Sequence, residues 1–201
     1  MALTLEQARA YRQRRYRTLD QAWVNWREQR LLAHLLRAWL PPQGPWLDVP
    51  CGYGRFAPLL ARLGFTAVGA DLSLAMLRLA AEAHGRGRWV QASLLALPFA
   101  DGAFDGALCV RLLHHRRPDA ERQQILQELA RVTRRVVLVS FYRYTPLHAA
   151  TRRWRGGRAR QGMLTLARFR ALVAASGLEL ASLHALLRFV HAQTFAVLRK
   201  A

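Results

Sequence analysis

The stretch that decides the fold is Leu47-Asp48-Val49-Pro50-Cys51-Gly52-Tyr53-Gly54-Arg55-Phe56, in which an apolar strand runs into a glycine turn. The residues after the turn are apolar at helical spacing: Phe56, Leu59, Leu60 and Leu63. Gly52 and Gly54 permit backbone angles that other residues avoid, and they let a ligand lie against the main chain. A strand, a glycine turn and a helix in this order predict a pocket for an adenosine-bearing cofactor at the carboxyl end of the strands.

The turn does not fit a dinucleotide. A dinucleotide loop reads G-x-G-x-x-G, whereas the third glycine position here is Ala57. A carboxylate, Asp48, also lies within the stretch. A buried negative charge repels a pyrophosphate but suits a ligand that carries an ammonium and a sulfonium.

The stretch resembles motif I of the class I S-adenosylmethionine-dependent methyltransferases. Asp71, which closes the next predicted strand about twenty residues after the turn, strengthens this resemblance. In that family the corresponding acid binds the adenosyl ribose, and a carboxylate has two acceptor oxygens for two vicinal hydroxyls. The alternative is that Asp71 only caps the helix that follows.

A second stretch, residues 104–115, resembles motif IV of the type-11 branch, which is similar to the ubiquinone and menaquinone methylases. His114 and His115 lie just past the end of its strand, and Tyr142 follows the next strand. The two histidines lie where the methyl group is expected to point, and a neutral imidazole can take a proton from an attacking hydroxyl. Tyr142, at the start of the segment 142–164, is expected to line the acceptor pocket. Two alternatives stay open: the histidines pack or cap, or methyl transfer needs alignment alone.

Residues 91–99 resemble the segment in which many relatives place an aspartate against adenine. Ser93 stands at that position, with the Leu94 amide as an alternative contact, and Pro50 replaces a usual glycine. The resemblance implies a binding set for S-adenosyl-L-methionine of Asp48, Cys51, Gly52, Gly54, Arg55, Phe56, Asp71, Leu72, Ser93, Leu94 and Arg111.

Strands that alternate with helices predict an α/β fold. We expect a Rossmann-like, doubly wound, seven-stranded sheet, mostly parallel with an antiparallel last strand, plus N-terminal helices. Residues 1–201 form one expected methyltransferase domain, with a helical cap at 1–40 and a basic lid or connector at 142–164. The aromatic residues of the cap are interpreted as packing against the sheet rather than as a stacking platform for bases.

The composition is strongly basic, with a formal net charge of +19 and Lys200 as the only lysine among 31 basic residues. This charge indicates an anionic partner such as RNA, a phosphorylated substrate or an acidic membrane surface, or else a solvated arginine-rich face. The two cysteines do not make a disulfide framework, and no Cys/His grouping has metal-ligand spacing, so no metal is predicted. Residues 1–19 carry charges throughout and show no signal-peptide core, and no apolar run approaches the length of a transmembrane helix, so we expect a cytoplasmic protein.

The function predicted is methyl transfer to a small or lipid-like organic acceptor, with an anionic acceptor as one option. Two alternatives remain: an RNA methyltransferase, and a catalytically degenerate module that binds RNA or another partner through its charge.

Overall fold

The computed structural model describes residues 4–15, 18–39, 44–85, 88–116, 118–144, 162–187 and 191–200. Most of the predicted basic lid therefore lies outside the described residues. The chain divides into two compact units, one ending at Leu94 and the other beginning at Leu95. The expectation of a single domain stays a prediction.

A seven-stranded sheet organises the chain, in the order β3-β2-β1-β4-β5-β7-β6. Its strands are β1 (Pro45–Asp48), β2 (Thr66–Asp71), β3 (Trp89–Gln91), β4 (Phe104–Cys109), β5 (Thr133–Tyr142), β6 (Leu178–Leu187) and β7 (His191–Lys200). β2 is parallel to β1 and β3, and β4 is parallel to β5. β7 is antiparallel to both β5 and β6. The predicted mostly parallel sheet with an antiparallel last strand is confirmed.

The described helices are α1 (Leu5–Arg14), α2 (Leu19–Trp39), α3 (Ala57–Arg62), α4 (Leu74–His84), α5 (Asp119–Val132) and α6 (Leu166–Ala174), with a 3-10 helix at Leu113–His115. None of them is long and apolar enough to cross a membrane. α1 and α2 are the predicted N-terminal helices, and Arg15 leaves α1 in an extended conformation.

Burial explains where the strands lie. In the first unit, Trp46, Leu47 and Val49 are fully buried. In the second unit, β5 is paired on both sides, with β4 and with β7. β5 begins at Thr133, which pairs with Phe104, and it includes the exposed Arg134 and Arg135.

The aromatic residues of α2 do not all pack inward as predicted. Trp23 and Trp26 are each 47% exposed, and Leu19 is 91% exposed. The buried side of α2 is made instead by Glu28, Leu32, Leu35 and Leu36.

Candidate functional site

The glycine turn is closed by its own backbone and by Asp71. The Cys51 amide donates to the Ala70 carbonyl (2.9 Å), which joins the turn to β2. The Gly54 amide donates to the Cys51 carbonyl and the Ala57 amide to the Gly54 carbonyl, each at 3.0 Å. The turn therefore leads directly into α3.

Both glycines of the turn take a positive φ, 56° at Gly52 and 74° at Gly54, but their side-chain positions face different surroundings. A Cβ on Gly52 would meet no heavy atom within 4 Å, so this residue borders open space. A Cβ on Gly54 would lie 2.8 Å from His84 Cδ2 and 2.9 Å from Trp89 Cη2. Gly52 can thus admit a ligand, whereas Gly54 is required by packing.

Asp71 is the hub of the turn. Its Oδ2 accepts from the Gly52 amide (2.9 Å) and its Oδ1 accepts from the Ser73 amide (2.8 Å). Burial raises the pKa of the Asp71 carboxyl, and the amides of Ser73, Gly52 and Leu72 partly oppose that rise. Ser73, not Asp71, caps α4 through its hydroxyl, which accepts from the Met76 amide. The role of helix cap, which was the alternative for Asp71, is therefore filled by Ser73.

Asp48 is a buried carboxyl at the end of β1, only 3% exposed. Among the described residues, its Oδ1 has no hydrogen-bond partner. Burial raises the pKa of Asp48 from 3.8 to about 8; Arg55 lowers it and Asp71 raises it further. A cation beside this buried carboxyl stabilises its ionised form and lowers its pKa. The position therefore favours a cationic ligand.

Arg55 points toward α2, a contact that the motif did not predict. Its Nη2 lies 2.6 Å from Oε2 of the fully buried Glu28, and its Nη1 donates to Asn25 Oδ1 (3.0 Å). One signal for Glu28 existed in the sequence, since it precedes Leu32 and Leu35 by four and seven residues on the apolar side of α2. A direct contact of Arg55 with a cofactor stays a prediction.

The remaining predicted cofactor residues of the first unit differ in exposure. Cys51, Phe56 and Leu94 are buried, and the Arg55 guanidinium carbon lies 4.2 Å from the Phe56 ring centroid. Leu72 is 60% exposed beside Asp71. Ser93 is half-buried just past the carboxyl end of β3. Leu72 is thus the apolar member that a ligand can reach from solvent.

The second unit brings its three predicted acceptor residues into one stack. The His114 ring centroid lies 4.1 Å from that of Tyr142, with the planes 17° apart, and 4.0 Å from that of His115. His115 is exposed, whereas His114 and Tyr142 are half-buried. We call these three residues the His–Tyr stack.

Arg111, which follows the end of β4, has an unusual backbone conformation. Its φ is 61°, and its amide donates to Oγ of the buried Ser140 on β5 (2.8 Å). A non-glycine residue in the left-handed region is disfavoured and persists where its surroundings fix it. The Ser140 hydroxyl is one such fixing contact, which sequence reasoning missed.

Arg122, a buried arginine on α5, holds the 3-10 helix that carries the histidines. Its Nε donates to the Leu113 carbonyl (3.1 Å), its Nη2 to the Gly162 carbonyl (3.1 Å), and its Nη1 to Asp119 Oδ1 (2.9 Å). Asp119 is also paired with Arg168. We call these contacts the Arg122 clamp; nothing in the arginine-rich composition distinguished this arginine from the others.

Comparison with known proteins places the two motifs in one family model. Residues 47–140 match the model described as "Methyltransferase domain". An uncharacterized methyltransferase of Mycobacterium sp. (strain JLS) is 40% identical over 88 residues, 44% of this chain and 34% of that protein. Malonyl-[acyl-carrier protein] O-methyltransferase of Legionella pneumophila is 44% identical over 73 residues, 34% of this chain and 26% of that protein. The matches thus span about a third of these relatives' lengths or less.

Similar folds extend over nearly the whole chain. Magnesium protoporphyrin IX methyltransferase from Synechocystis PCC 6803, with bound SAH, superposes with a TM-score of 0.76 at 20% identity, covering 96% of this chain and 94% of that one. The same enzyme with bound SAM gives a TM-score of 0.70 at 19% identity, covering 100% and 99%. This likeness confirms the predicted fold.

Proposed function

We propose that the chain is an S-adenosylmethionine-dependent methyltransferase, which the match of residues 47–140 to the methyltransferase-domain model supports. When bound, this cofactor supplies an electrophilic methyl group on a sulfonium. The chain's own residues have to hold the cofactor, orient the acceptor and accept any proton that the acceptor releases.

The first unit fits a cationic adenosyl ligand on two independent observations. Asp48 Oδ1 is buried and, among the residues that the structure describes, without a hydrogen-bond partner. Gly52 borders open space in which a Cβ would meet nothing. A buried carboxyl that a cation can ionise, beside an open stretch of backbone, is an environment that suits a ligand with an ammonium.

Asp71 and Leu72 are the proposed binding residues for the nucleoside part. The Asp71 carboxylate accepts from the amides of Gly52 and Ser73 and also interacts with that of Leu72, and since a carboxylate has about four acceptor sites, capacity for a ribose hydroxyl remains. The exposed Leu72 supplies apolar surface next to that carboxylate. Ser93 is the proposed partner of the adenine amine.

The His–Tyr stack of the second unit is the proposed acceptor side. The stacked ring of Tyr142 and the adjacent His115 restrict how His114 can turn. A neutral imidazole held this way can accept the proton of a hydroxyl acceptor, although a carboxylate acceptor needs no base. Orientation of the acceptor is therefore the stack's first proposed role.

We propose an acceptor that is small or lipid-like and anionic. The names of two related proteins support this class: one acts on a malonyl group and the other on magnesium protoporphyrin IX. The charge of +19 favours an anionic acceptor as well.

Calorimetry with S-adenosylmethionine and with its demethylated product tests the cofactor proposal. We expect both to bind, and we expect Asp71→Ala to weaken binding at least about tenfold because the turn loses its hub and the ribose loses its acceptor. Absence of binding at millimolar ligand would favour the degenerate binding module instead.

Transfer of a labelled methyl group tests the acceptor class. We expect incorporation into a panel of small carboxylic and phenolic acceptors and none into bulk tRNA. Incorporation into tRNA together with tRNA binding that falls steeply with salt would favour the RNA methyltransferase.

A further inference from the structure

Helix α2 carries apolar residues on two opposite sides, and only one side is buried. Glu28, Leu32, Leu35 and Leu36 form the buried side. Leu19, Trp23, Trp26 and Arg30 follow one another at intervals of four, three and four residues, which places them on a single stripe. At about 100° per residue this stripe lies opposite the buried side.

The outward stripe is exposed to an unusual degree for its residue types. Leu19 is 91% exposed, and Trp23 and Trp26 are 47% exposed each. A surface helix normally places polar residues on the side away from the core. Large apolar residues grouped on that side mark an interaction surface more than residues scattered singly do.

Arginines accompany both tryptophans. The guanidinium carbon of Arg30 lies 4.8 Å from the Trp26 ring centroid, and that of Arg27 lies 6.0 Å from the Trp23 ring centroid. Both arginines are exposed, and the only acidic residues of α2 are Asp20 and the buried, ion-paired Glu28. The partner of this surface must therefore accept both apolar side chains and cations.

We propose that this stripe (Leu19, Trp23, Trp26, Arg27 and Arg30) docks the protein on an anionic lipid bilayer surface. Leucine and tryptophan enter the boundary between headgroups and acyl chains, while arginine stems cover apolar surface and keep their charge at the phosphates. Leu19 favours a bilayer over RNA as the partner of this surface. Its apolar side chain gains by entering lipid, whereas a nucleic acid offers it neither stacking nor a charge contact.

The test is co-sedimentation of the full chain with vesicles of phosphatidylcholine, alone or with about one third phosphatidylglycerol. We expect binding to the anionic vesicles and much weaker binding to the neutral ones. Arg27→Gln with Arg30→Gln should lower the partition coefficient on anionic vesicles roughly 10- to 30-fold. Leu19→Gln with Trp23→Gln and Trp26→Gln should lower it at least about tenfold at unchanged charge.

Arg62→Gln with Arg170→Gln is the matched control, since both arginines are exposed on other helices and the charge change is the same. It should lower partitioning by no more than about threefold. Thermal unfolding of each variant shows whether it is folded, because exposed substitutions should leave the midpoint nearly unchanged.

Three results would overturn the proposal: no binding of the parent chain to anionic vesicles at low salt, an apolar variant that binds like the parent, or a control that loses as much as the stripe variants. An apolar variant that loses bulk tRNA binding while keeping vesicle binding would assign the surface to RNA instead. None of these measurements uses methyl transfer, so the proposed function can fail or succeed independently.

Discussion

At the scale of the residue, the buried Asp48 couples cofactor binding to protons. Its pKa is raised by burial from 3.8 to about 8, so at neutral pH the empty site holds a proton that a cationic ligand must displace. Affinity for S-adenosylmethionine should therefore rise with pH, by up to about tenfold per unit, between about pH 5.5 and 7.5. Calorimetry across that range measures the slope.

Asp48→Asn is the control for this pH dependence, because it keeps the shape of the side chain and removes the titration. The variant should bind more weakly at pH 7.5 and show a flatter profile. An equally steep profile in the variant would assign the proton to another group.

The same raised pKa makes the folded chain less stable as the pH rises, whereas it makes cofactor affinity increase. The folded chain keeps the Asp48 proton up to about pH 8, whereas the unfolded chain loses it near 3.8. The contribution of this group to the free energy of unfolding is therefore complete below about pH 4 and is lost as the pH rises through about 8. Asp48→Asn should weaken that decline.

At the scale of the element, the Arg122 clamp joins α5 to the 3-10 helix and to Gly162. Arg122→Gln removes charged donors from the carbonyls of Leu113 and Gly162, which are left with weaker partners. We expect kcat to fall about 10- to 100-fold, because a misplaced catalytic segment costs this much, with cofactor affinity within about twofold of the parent. The expected loss of unfolding free energy is about 1–3 kcal/mol, because buried carbonyls lose their donors while Asp119 keeps Arg168.

Arg168→Gln is the matched control for the clamp. It removes the other partner of Asp119 and leaves the contacts of Arg122 with Leu113 and Gly162 in place. Steady-state kinetics with separate kcat and KM should therefore show a selective kcat effect in Arg122→Gln only. Equal losses in the two variants would mean that Asp119, not the clamp, supports turnover.

At the scale of the whole molecule, the net charge of +19 means that the positive side chains repel one another and destabilise the folded chain. Salt shortens the range of that repulsion to about 10 Å at 0.1 M. We expect the thermal midpoint to rise by a few degrees between about 0.01 and 0.2 M sodium chloride at constant pH, measured by calorimetry. A fall would mean that attractive pairs, such as Arg131 with Glu128 and Asp101, outweigh the repulsion.

The order of elements and the position of the glycine turn were predictable because both depend on local patterns. The strand–turn–helix sequence around Gly52 is read from neighbouring residues, and the structure confirms these elements. Contacts between distant residues were not predictable. Arg55 meets Glu28 across 27 positions and Arg122 meets Gly162 across 40, and no local pattern selects these arginines among thirty.

The side of α2 that faces outward was mispredicted for a related reason. Apolar residues lie on two sides of this helix, so periodicity alone could not assign the tryptophans to the core or to solvent. The side that turns inward carries Leu32, Leu35 and Leu36 together with Glu28, which is ion-paired with Arg55.

Chemical modification of the buried Cys51 thiol can report how often the glycine turn opens. Cys51 is 4% exposed, and burial, with the charges of Asp48 and Asp71, raises the pKa of its thiol. A thiol reagent can therefore reach it only when the turn opens, and its rate of modification measures how often that happens. In a Cys109→Ala background, S-adenosylmethionine should slow the modification in proportion to its occupancy; an unchanged rate would place the ligand away from the turn.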